Sequence, residues 1–468
     1  MDDSGALALW LAISAGGAAI TWYVRWKREQ VGAGLVVAYI LAFLLFHWLG
    51  AVLYLLPWHS LYPLAVIEAG TRLSAYAMVA FALGSAVIAP LLMKTLRLSK
   101  ARVTTSPAPR QLIVVYMVIG LFCYLALTVA GRVPTVGALL GVGWNFLVAG
   151  LGLACWTAAR ERRFSALGWW LAVSACLPLF TLATQGFVSF GMGALLVVVT
   201  LFAGLIRPRS KVALVGVLVG YVWLSFYVSY MRDRLDIRAV VWGGESVEKR
   251  IEQIYQTVSN FEWFDAWDNE HLLRIDMRLN QNYLVGAAEM YLDSGREQYA
   301  HGATLWAAAV AVIPRALWPD KPVGAGSGDL VSQYTGIQFQ PGTSVGIGQV
   351  MEFYVNFGTA GIVVGFLLLG CVLTLVDSVA GQHLLAGNWQ KFVLWYLPGL
   401  GLLQVGGSLV EVTGTAGAGL VMALAVNWCL QHGWGKNKRR PIPVGRDRLS
   451  RPGAAGMPTR PDSSSLVG

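Results

Sequence analysis

Long apolar runs separated by short polar segments dominate this 468-residue chain. Most runs hold about 20 residues, the length at which an α-helix crosses the hydrocarbon core of a bilayer. The pattern predicts eleven membrane-spanning helices, so we expect an all-α polytopic membrane protein. Their predicted positions are near 5–24, 31–56, 73–93, 112–131, 138–159, 166–183, 188–206, 212–230, 353–376, 392–412 and 414–431.

Positive charge falls on every second short connection between these spans. Basic clusters follow the first, third, fifth and seventh spans, at 25–28, 94–110, 160–163 and 207–211. Short connections on the cytoplasmic side of a membrane are enriched in Lys and Arg. The alternation therefore predicts an N-terminus outside the cell membrane and a C-terminus in the cytoplasm.

One connection is far longer than the others. Residues 231–350 hold fifteen acidic and ten basic residues, and the same alternation places them outside. Within this outer loop, residues 280–294 predict a surface or interfacial helix. A second, amphipathic helix is predicted from apolar residues at helical spacing. These residues are Val247, Ile251, Ile254 and Val258.

The same patterns divide the chain into four parts. An N-terminal membrane bundle, 1–230, precedes the large outer loop, 231–352, and the C-terminal membrane helices, 353–434. The remaining tail, 435–468, is rich in Pro, Gly, Ser and Arg, a composition typical of disordered segments. Its basic start is expected to be attracted to anionic lipid.

Composition excludes several classes of function. Apolar residues make up 56% of the chain and charged residues only 13%, whereas a soluble domain has about 25% charged residues. The net charge is +10, but its positive charge lies in short loops and the tail, so we expect no nucleic-acid partner. The five cysteines all fall in apolar spans without metal-ligand spacing, so we expect no disulfide, metal or cofactor.

A proline-rich run late in the outer loop, at 313–322, is the first candidate site. It reads Ile-Pro-Arg-Ala-Leu-Trp-Pro-Asp-Lys-Pro. Proline restricts the backbone and lowers the entropy cost of holding charged groups in one geometry. We expect Arg315 and Lys321 to bind an anion, with Trp318 as a platform for sugar or lipid. The alternative is a structural turn with Asp320 and Lys321 paired in solvent.

Arg232 and Arg234 lie where the eighth predicted span leaves the membrane. Guanidinium groups bind phosphate bidentately, and basic residues are disfavoured on the outer side unless they have a role. We expect both to bind a phosphate or diphosphate head group, together with Arg132 in the outer connection 132–137. The alternative is an Arg/Asp network that ties the loop down.

Two carboxylates are candidates for a general base. Gln349, Glu352 and Asn356 share one helical face where the ninth span begins, and Asn356 is expected to contact the substrate. A partly desolvated carboxylate such as Glu352 can accept a proton from a sugar hydroxyl. A structural alternative is that neighbouring helices or Arg315 satisfy it. Glu411, in a polar stripe near the outer ends of spans ten and eleven, is the second candidate base or an inter-helix contact.

With these residues in place, the chain resembles the Wzy-type O-antigen polymerases, which join oligosaccharide repeat units into bacterial surface polysaccharides. The resemblance in topology covers nearly the whole chain and includes one large outer loop late in the sequence. The resemblance in motifs is confined to 301–358. The residues that carry it are Pro314-Arg315, Trp318-Pro-Asp-Lys-Pro322, Glu352, Tyr354 and Asn356-Phe-Gly358.

The resemblance implies metal-independent, inverting glycosyl transfer at the outer face of the inner membrane, on a GT-C-like architecture. Donor and acceptor would be oligosaccharides on polyprenyl diphosphate, with a flippase and a chain-length regulator as further partners. Arginines of outer loops bind the diphosphates in that family, and the matching positions here are Arg232, Arg315 and Arg132. This chain has one large outer loop where the best-known members have two.

Other functions fit parts of the pattern. A ligase that moves finished glycan onto a lipid core or a protein would share the anion site, and an accessory scaffold would need no chemistry. A transferase that uses polyprenyl monophosphate sugars typically carries paired acids in its first outer loop, but residues 57–72 hold only Glu68, which is spaced to pair with Arg72. A transporter or flippase predicts repeats, discontinuous helices and midplane charges, and the sequence indicates none of these.

Overall fold

Apolar composition over long stretches gives a bundle of helices. The computed structural model describes residues 3–27, 32–95, 108–131, 133–203, 210–313, 317–318, 320–321, 326–339 and 345–434. Within these ranges it is all-helical without strands. Eight helical segments are long and apolar enough to cross a membrane, which confirms the expected all-α polytopic membrane protein. They are 3–27, 35–55, 64–95, 110–127, 135–160, 164–185, 349–385 and 409–432.

The helices before residue 210 follow one another with short connections. They are α1 (Asp3–Lys27), α2 (Leu35–Leu44), a π-helical turn (Leu45–Leu49), α3 (Gly50–Val52), a 3₁₀ turn (Leu53–Leu55), α4 (Leu64–Leu83), a second π-helical turn (Gly84–Ile88), α5 (Ala89–Thr95), α6 (Arg110–Ala130), α7 (Pro134–Gly143), α8 (Asn145–Arg160), α9 (Phe164–Ala175), α10 (Leu177–Gln185) and α11 (Ser189–Ala203).

The second half of the chain contains the predicted outer loop and the last membrane helices. Its elements are α12 (Ser210–Trp242), α13 (Val247–Ser259), α14 (Asn269–Leu279), α15 (Asn282–Asp293), α16 (Ala303–Ala311), α17 (Ser327–Thr335), α18 (Gln349–Leu385), α19 (Trp389–Gly401) and α20 (Leu409–Trp434). Helix α13 confirms the amphipathic helix predicted from its apolar stripe. The predicted domain boundaries at 230 and 352 fall inside α12 and α18.

Three of the eleven predicted spans differ from the eight long apolar helices. The seventh corresponds to α11, and residues 204–206 of that predicted span lie outside the described residues. The eighth begins α12, whose 33 residues continue past the predicted end to Trp242. The tenth, 392–412, is interrupted, since α19 ends at Gly401 and α20 begins only at Leu409. Pro398 lies inside α19 and glycines 406–407 lie in the gap, and both residue types disfavour a continuing helix.

Helix α18 is two helices joined by a sharp reversal. Phe357 and Gly358 have non-helical backbone angles, with φ of −144° and 59°, and the positive value is one that glycine adopts readily. A Cβ atom on Gly361 would collide with the carbonyl oxygen of Phe353, although residues eight apart in a straight helix are separated by about 12 Å. The half before Phe357 therefore folds back on the half after Gly358. The expectation that the chain lacks discontinuous helices is wrong.

Helix α15 is buried against α4, contrary to the surface helix predicted at 280–294. Gly70 and Gly286 face the opposite helix so closely that a Cβ on either would collide with its backbone. Asn282 is fully buried and accepts hydrogen bonds from Ser74 (2.7 Å) and from His47 Nδ1 (2.9 Å). Close glycine contacts and hydrogen bonds to distant residues place α15 inside the bundle. A local sequence pattern shows neither of them.

The chain divides into two units, Met1–Ala425 and Val426–Gly468. The second unit contributes the end of α20 to the described structure. All the features described below belong to the first unit.

Candidate functional site

A cavity of about 670 Å³ lies among α6, α7, α8, α10, α11, α19 and α20. Small-molecule sites in proteins typically have volumes of about 300–1,000 Å³. Its walls are mainly apolar, and Glu411 is the only acidic residue among the described residues that line it. Other polar side chains on the wall include Tyr124, Asn145, Thr181, Gln185, Ser189, Gln404 and Thr415.

Glu411 is held at the wall by the start of α20. Its Oε2 accepts a hydrogen bond from the backbone N–H of Ser408 at 3.0 Å, and the Ser408 hydroxyl accepts from the backbone N–H of Glu411 at 3.2 Å. This reciprocal pair is a capping box, which fixes both side chains at a helix N-terminus. Gln404 lies in the connection before the helix, so the predicted helical stripe is a loop followed by the first turn of α20.

Glu352 lies behind this turn and is fully buried. Its Oε2 accepts from the backbone N–H of Leu409 at 2.6 Å. Its Oε1 forms no hydrogen bond within the part of the chain that the structure describes. Because Glu352 does not line the cavity, we revise the order of the two candidate bases: Glu411 is the carboxylate that a bound molecule can reach, and Glu352 supports the turn that carries it.

Asn356 uses its polar groups within the protein and is fully buried. Its Oδ1 accepts from the backbone N–H of Gly302 at 3.0 Å, and its Nδ2 donates to Thr304 Oγ1 and to the carbonyl of Glu352, both at 2.7 Å. These bonds hold the start of α16 against α18. The oxygen and nitrogen of the Asn356 amide are thus both engaged within the protein, and its contact with substrate stays a prediction.

Arg232 forms an ion-pair network and ties the outer loop down. Its Nε and Nη2 donate to the Asp233 carboxylate at 2.7 and 2.8 Å, and its Nη1 donates to Glu262 at 2.5 Å and to the Asn260 carbonyl at 2.8 Å. The hydrogen bonds to Asp233, aided by those to Glu262, raise the pKa of Arg232 above its ordinary value. This geometry matches the structural alternative for Arg232, because four hydrogen bonds within the protein hold its guanidinium group.

Arg234 belongs to a different group on the same helix. Arg234 and Arg238 are one turn apart on α12, and Arg278 on α14 lies near both. Burial lowers the pKa of Arg234, and the positive charges of Arg278 and Arg238 lower it further. The Nε of Arg278 is buried and forms no hydrogen bond within the described ranges. We call Arg234, Arg238 and Arg278 the guanidinium cluster. Guanidinium groups donate charge-assisted hydrogen bonds to phosphate, so this cluster is a candidate for binding an anion.

The guanidinium cluster adjoins one end of the cavity. Gln185 lines the cavity, and the next residue, Gly186, accepts a hydrogen bond from Arg238 Nε at 3.4 Å. Trp242 donates from its indole to the Gln185 carbonyl at 3.0 Å. Arg238 also packs over the Trp242 ring, 5.0 Å from its centroid. The end of α10 therefore lies between the cavity and the cluster.

Sequence reasoning missed Arg238 and Arg278. The apolar pattern ends the eighth span at 230, which puts Arg232 and Arg234 in a loop. On the continuing helix α12, the spacing of four residues puts Arg234 and Arg238 on one face. That spacing was a usable signal for Arg238. Nothing local could have pointed to Arg278, which tertiary packing supplies.

Lys321, the cation of the proline-rich run that the structure describes, caps a helix. Lys321 Nζ donates to the carbonyls of Ala311 (3.3 Å) and Ile313 (2.9 Å) at the end of α16. A cation is stabilised there by the helix dipole. Trp318 is partly exposed, with 38% of its surface accessible. Lys321 thus contacts the end of α16, and both its anion-binding role and the platform role of Trp318 stay predictions.

Two predicted anion ligands, Arg315 and Arg132, lie outside the described residues. Glu68 and Arg72, which are spaced to pair with each other, each contact a residue of another helix instead. Arg72 binds Glu289 at 2.8 Å, and Glu68 accepts from the indole of Trp10 at 2.7 Å. Each side chain joins α4 to a different helix, since α15 and α1 both pack on α4 within reach of these groups.

Comparisons with protein-family models, curated proteins and solved structures find no match for this chain. The function of the site is therefore inferred from its own geometry.

Proposed function

We propose that this protein is a glycosyltransferase that polymerises oligosaccharide repeat units carried on polyprenyl diphosphate. It would act at the outer face of the bacterial inner membrane, with the N-terminus outside and the C-terminus in the cytoplasm. The observation that supports this most is the position of Glu411, on a cavity of about 670 Å³ whose Gln185 end adjoins the guanidinium cluster. A flippase would supply its substrate, and a chain-length regulator would be a further partner.

The chemistry needs an anion site and a base. In an inverting transfer, the acceptor hydroxyl oxygen bonds to the anomeric carbon of the donor as the bond from that carbon to the diphosphate oxygen breaks. Negative charge grows on the leaving diphosphate, and fixed guanidinium groups lower the barrier by stabilising it. Glu411 accepts the proton of the attacking hydroxyl. The proposal needs no metal or cofactor for these steps.

The burial of Glu352 supports a positioning role. Its hydrogen bond to Leu409 N and the capping box of Glu411 act on consecutive N–H groups of one turn. Residues that lock the supporting backbone keep a reactive group within the narrow range of productive geometries. Glu352 therefore orients Glu411 through the first turn of α20.

A second candidate function is a flippase for the same lipid-linked oligosaccharide. The reversal at Phe357–Gly358 and the gap between α19 and α20 are discontinuous helices, and two carboxylates lie at the N-terminus that follows the gap. Secondary transporters commonly build substrate sites from such broken helices. The large outer loop, and the half-buried guanidinium cluster that α12 and α14 form within it, favour the transferase.

The experiment uses a bacterial strain from which this protein has been deleted. The strain makes the polysaccharide only when the protein is expressed again. Wild type, Glu411→Gln and the matched control Ser408→Ala are expressed at equal levels, and glycan length and carrier-linked intermediates are measured. Loss of long polymer in Glu411→Gln, with single repeat units accumulating on the outer-face carrier, supports the polymerase. Full-length polymer stranded on the carrier supports a ligase, and repeat units trapped on the inner side support the flippase. Normal polymer in Glu411→Gln contradicts the role of Glu411.

A further inference from the structure

The chain after α13 turns back along the side of α12. Tyr221 donates its hydroxyl proton to the carbonyl of Phe264 at 3.1 Å. The backbone N–H groups of Phe264 and Glu262 donate to the hydroxyls of Ser225 and Ser229, both at 2.9 Å. Tyr221, Ser225 and Ser229 are spaced by four residues and so share one face of α12. This face holds the backbone of the returning segment by three side-chain hydrogen bonds.

These contacts lie deep on α12. Tyr221 precedes Arg232 by eleven residues, which corresponds to about 16 Å along the helix axis. It lies in the apolar run 212–230, which is predicted to span the membrane. The helix around it is exposed within the protein, with Val217 and Val219 at 69% and 62% accessibility. An apolar helix of a membrane protein that is bare on its outer surface faces lipid.

The hydrogen bonds from α12 suit a loop placed in lipid. In hydrocarbon no water satisfies an irregular backbone, so each exposed N–H and C=O needs a protein partner. Ser225, Ser229 and Tyr221 supply such partners for Glu262 and Phe264. A loop in water would not need them. The side chain of Glu262 turns to Arg232 instead of to the apolar surface.

The side chains at the turn are aromatic. Trp263 is 59% exposed and stacks on Tyr221, with ring centroids 5.8 Å apart and an angle of 8° between planes. Phe261 contacts the Trp263 ring edge-on. Trp267 is more exposed and follows Asp265, whose carboxylate accepts its backbone N–H at 2.9 Å. The apolar surface of α12 thus continues without interruption onto Trp263, while Trp267 lies beside charge.

We propose that the tip of the aromatic loop 261–267, residues 261–264, enters the bilayer alongside α12 and that Trp263 contacts phospholipid acyl chains. Trp267 stays on the aqueous side with Asp265. Tryptophan and tyrosine are favoured where protein meets the membrane interface. The loop anchors the segment that carries Glu262, and through Glu262 it anchors Arg232 at a defined depth. This inference does not depend on the proposed catalytic function.

Hydroxyl-radical footprinting of the wild-type protein tests the insertion directly. The protein is reconstituted in nanodiscs of phosphatidylethanolamine and phosphatidylglycerol, and oxidation of each tryptophan is followed by mass spectrometry. Trp263 should oxidise several-fold more slowly than Trp267 and as slowly as Trp169, which is 66% exposed within the long apolar segment 164–185. Equal rates for Trp263 and Trp267 would overturn the proposal.

Photo-cross-linking gives an independent second measurement. The photoreactive amino acid p-benzoylphenylalanine replaces Trp263 in one variant and Glu248, on the exposed polar side of α13, in the control. Both proteins are checked for monodisperse elution before irradiation in the same nanodiscs. A phospholipid adduct at position 263 and none at 248 is expected. A folded protein without a lipid adduct at 263, or with equal adducts at both positions, contradicts insertion.

Discussion

Glu352 and Glu411 bind consecutive backbone N–H groups at the first turn of α20, those of Leu409 and Ser408, at 2.6 and 3.0 Å. Negative charge is stabilised at a helix N-terminus by the unpaired N–H groups and the dipole. Only Glu411 lines the cavity, while Glu352 is fully buried. The two carboxylates that bind this turn therefore differ in their access to a bound molecule. This difference determines the first two predictions.

Replacing Glu411 by Gln should abolish transfer without unfolding α20. Gln can also complete a capping box, but it cannot accept a proton. Losing a general base lowers the rate by about 10²–10⁴-fold. The measurement is chain extension by purified protein with lipid-linked repeat units. The control Ser408→Ala should cost about 1 kcal/mol of stability through the lost cap and keep its rate per folded molecule. Equal rates in Glu411→Gln and wild type would contradict the assignment.

At Glu352, Gln and Ala should give different results. Glu352→Gln keeps an oxygen for Leu409 N and should retain transfer activity. Glu352→Ala leaves that buried N–H unpaired, which costs about 1–3 kcal/mol. Thermal unfolding in detergent and chain extension are measured on both variants. If Glu352→Gln is as inactive as Glu411→Gln while remaining folded, Glu352 has a chemical role that its burial hides.

Inorganic diphosphate should stabilise the protein through the guanidinium cluster. A ligand at one hundred times its Kd adds about 2.7 kcal/mol to the stability of the folded state. The increase should disappear in Arg278→Ala, because one of three cations is lost. It should persist in the matched variant Arg232→Ala, whose arginine is already paired with Asp233 and Glu262. Unfolding is followed against diphosphate concentration at constant ionic strength. An unchanged increase in Arg278→Ala would exclude the cluster as the binding site.

Asp276 should make the protein less stable as the pH rises from about 4 to about 6. Burial raises the pKa of this carboxyl from 3.8 to about 6, although hydrogen bonds from Asn280 and Tyr54 oppose the rise. Between these values the folded state binds more protons than the unfolded state, so stability falls with pH. The full effect is about 3 kcal/mol. Denaturant unfolding at a series of pH values should show this slope in wild type and a smaller slope in Asp276→Asn. Identical slopes of unfolding free energy against pH in the two proteins would contradict the role of Asp276.

The contact between α4 and α15 should not tolerate a methyl group. A Cβ on Gly286 would collide with the carbonyl oxygen of Val66, and overpacking of this kind costs about 1–3 kcal/mol. Gly286→Ala should therefore lower the melting temperature. The matched variant Gly216→Ala, in an open position on α12, should not, because Ala is the better helix former. Equal melting temperatures would show that the two helices separate without cost.

Local sequence pattern is enough to predict most of the membrane helices and the shared face of Gln349, Glu352 and Asn356. Both follow from the local periodicity of the chain and from the transfer of apolar runs out of water, which needs no knowledge of distant residues. The amphipathic helix α13 follows from the same physics. Spans were lost or shortened where glycine and proline interrupt an apolar run, as between α19 and α20.

Tertiary structure alone decided which charged residue does what. Arg232 and Arg234 are two positions apart and look alike in sequence, yet one is paired with Glu262 and the other lies beside Arg278. Likewise the choice between Glu352 and Glu411 depends on which side chain the packing leaves at the cavity. Charge pairing and burial depend on tertiary contacts between residues that are distant in sequence. The reversal at Phe357–Gly358 changes those contacts without changing the hydrophobic pattern.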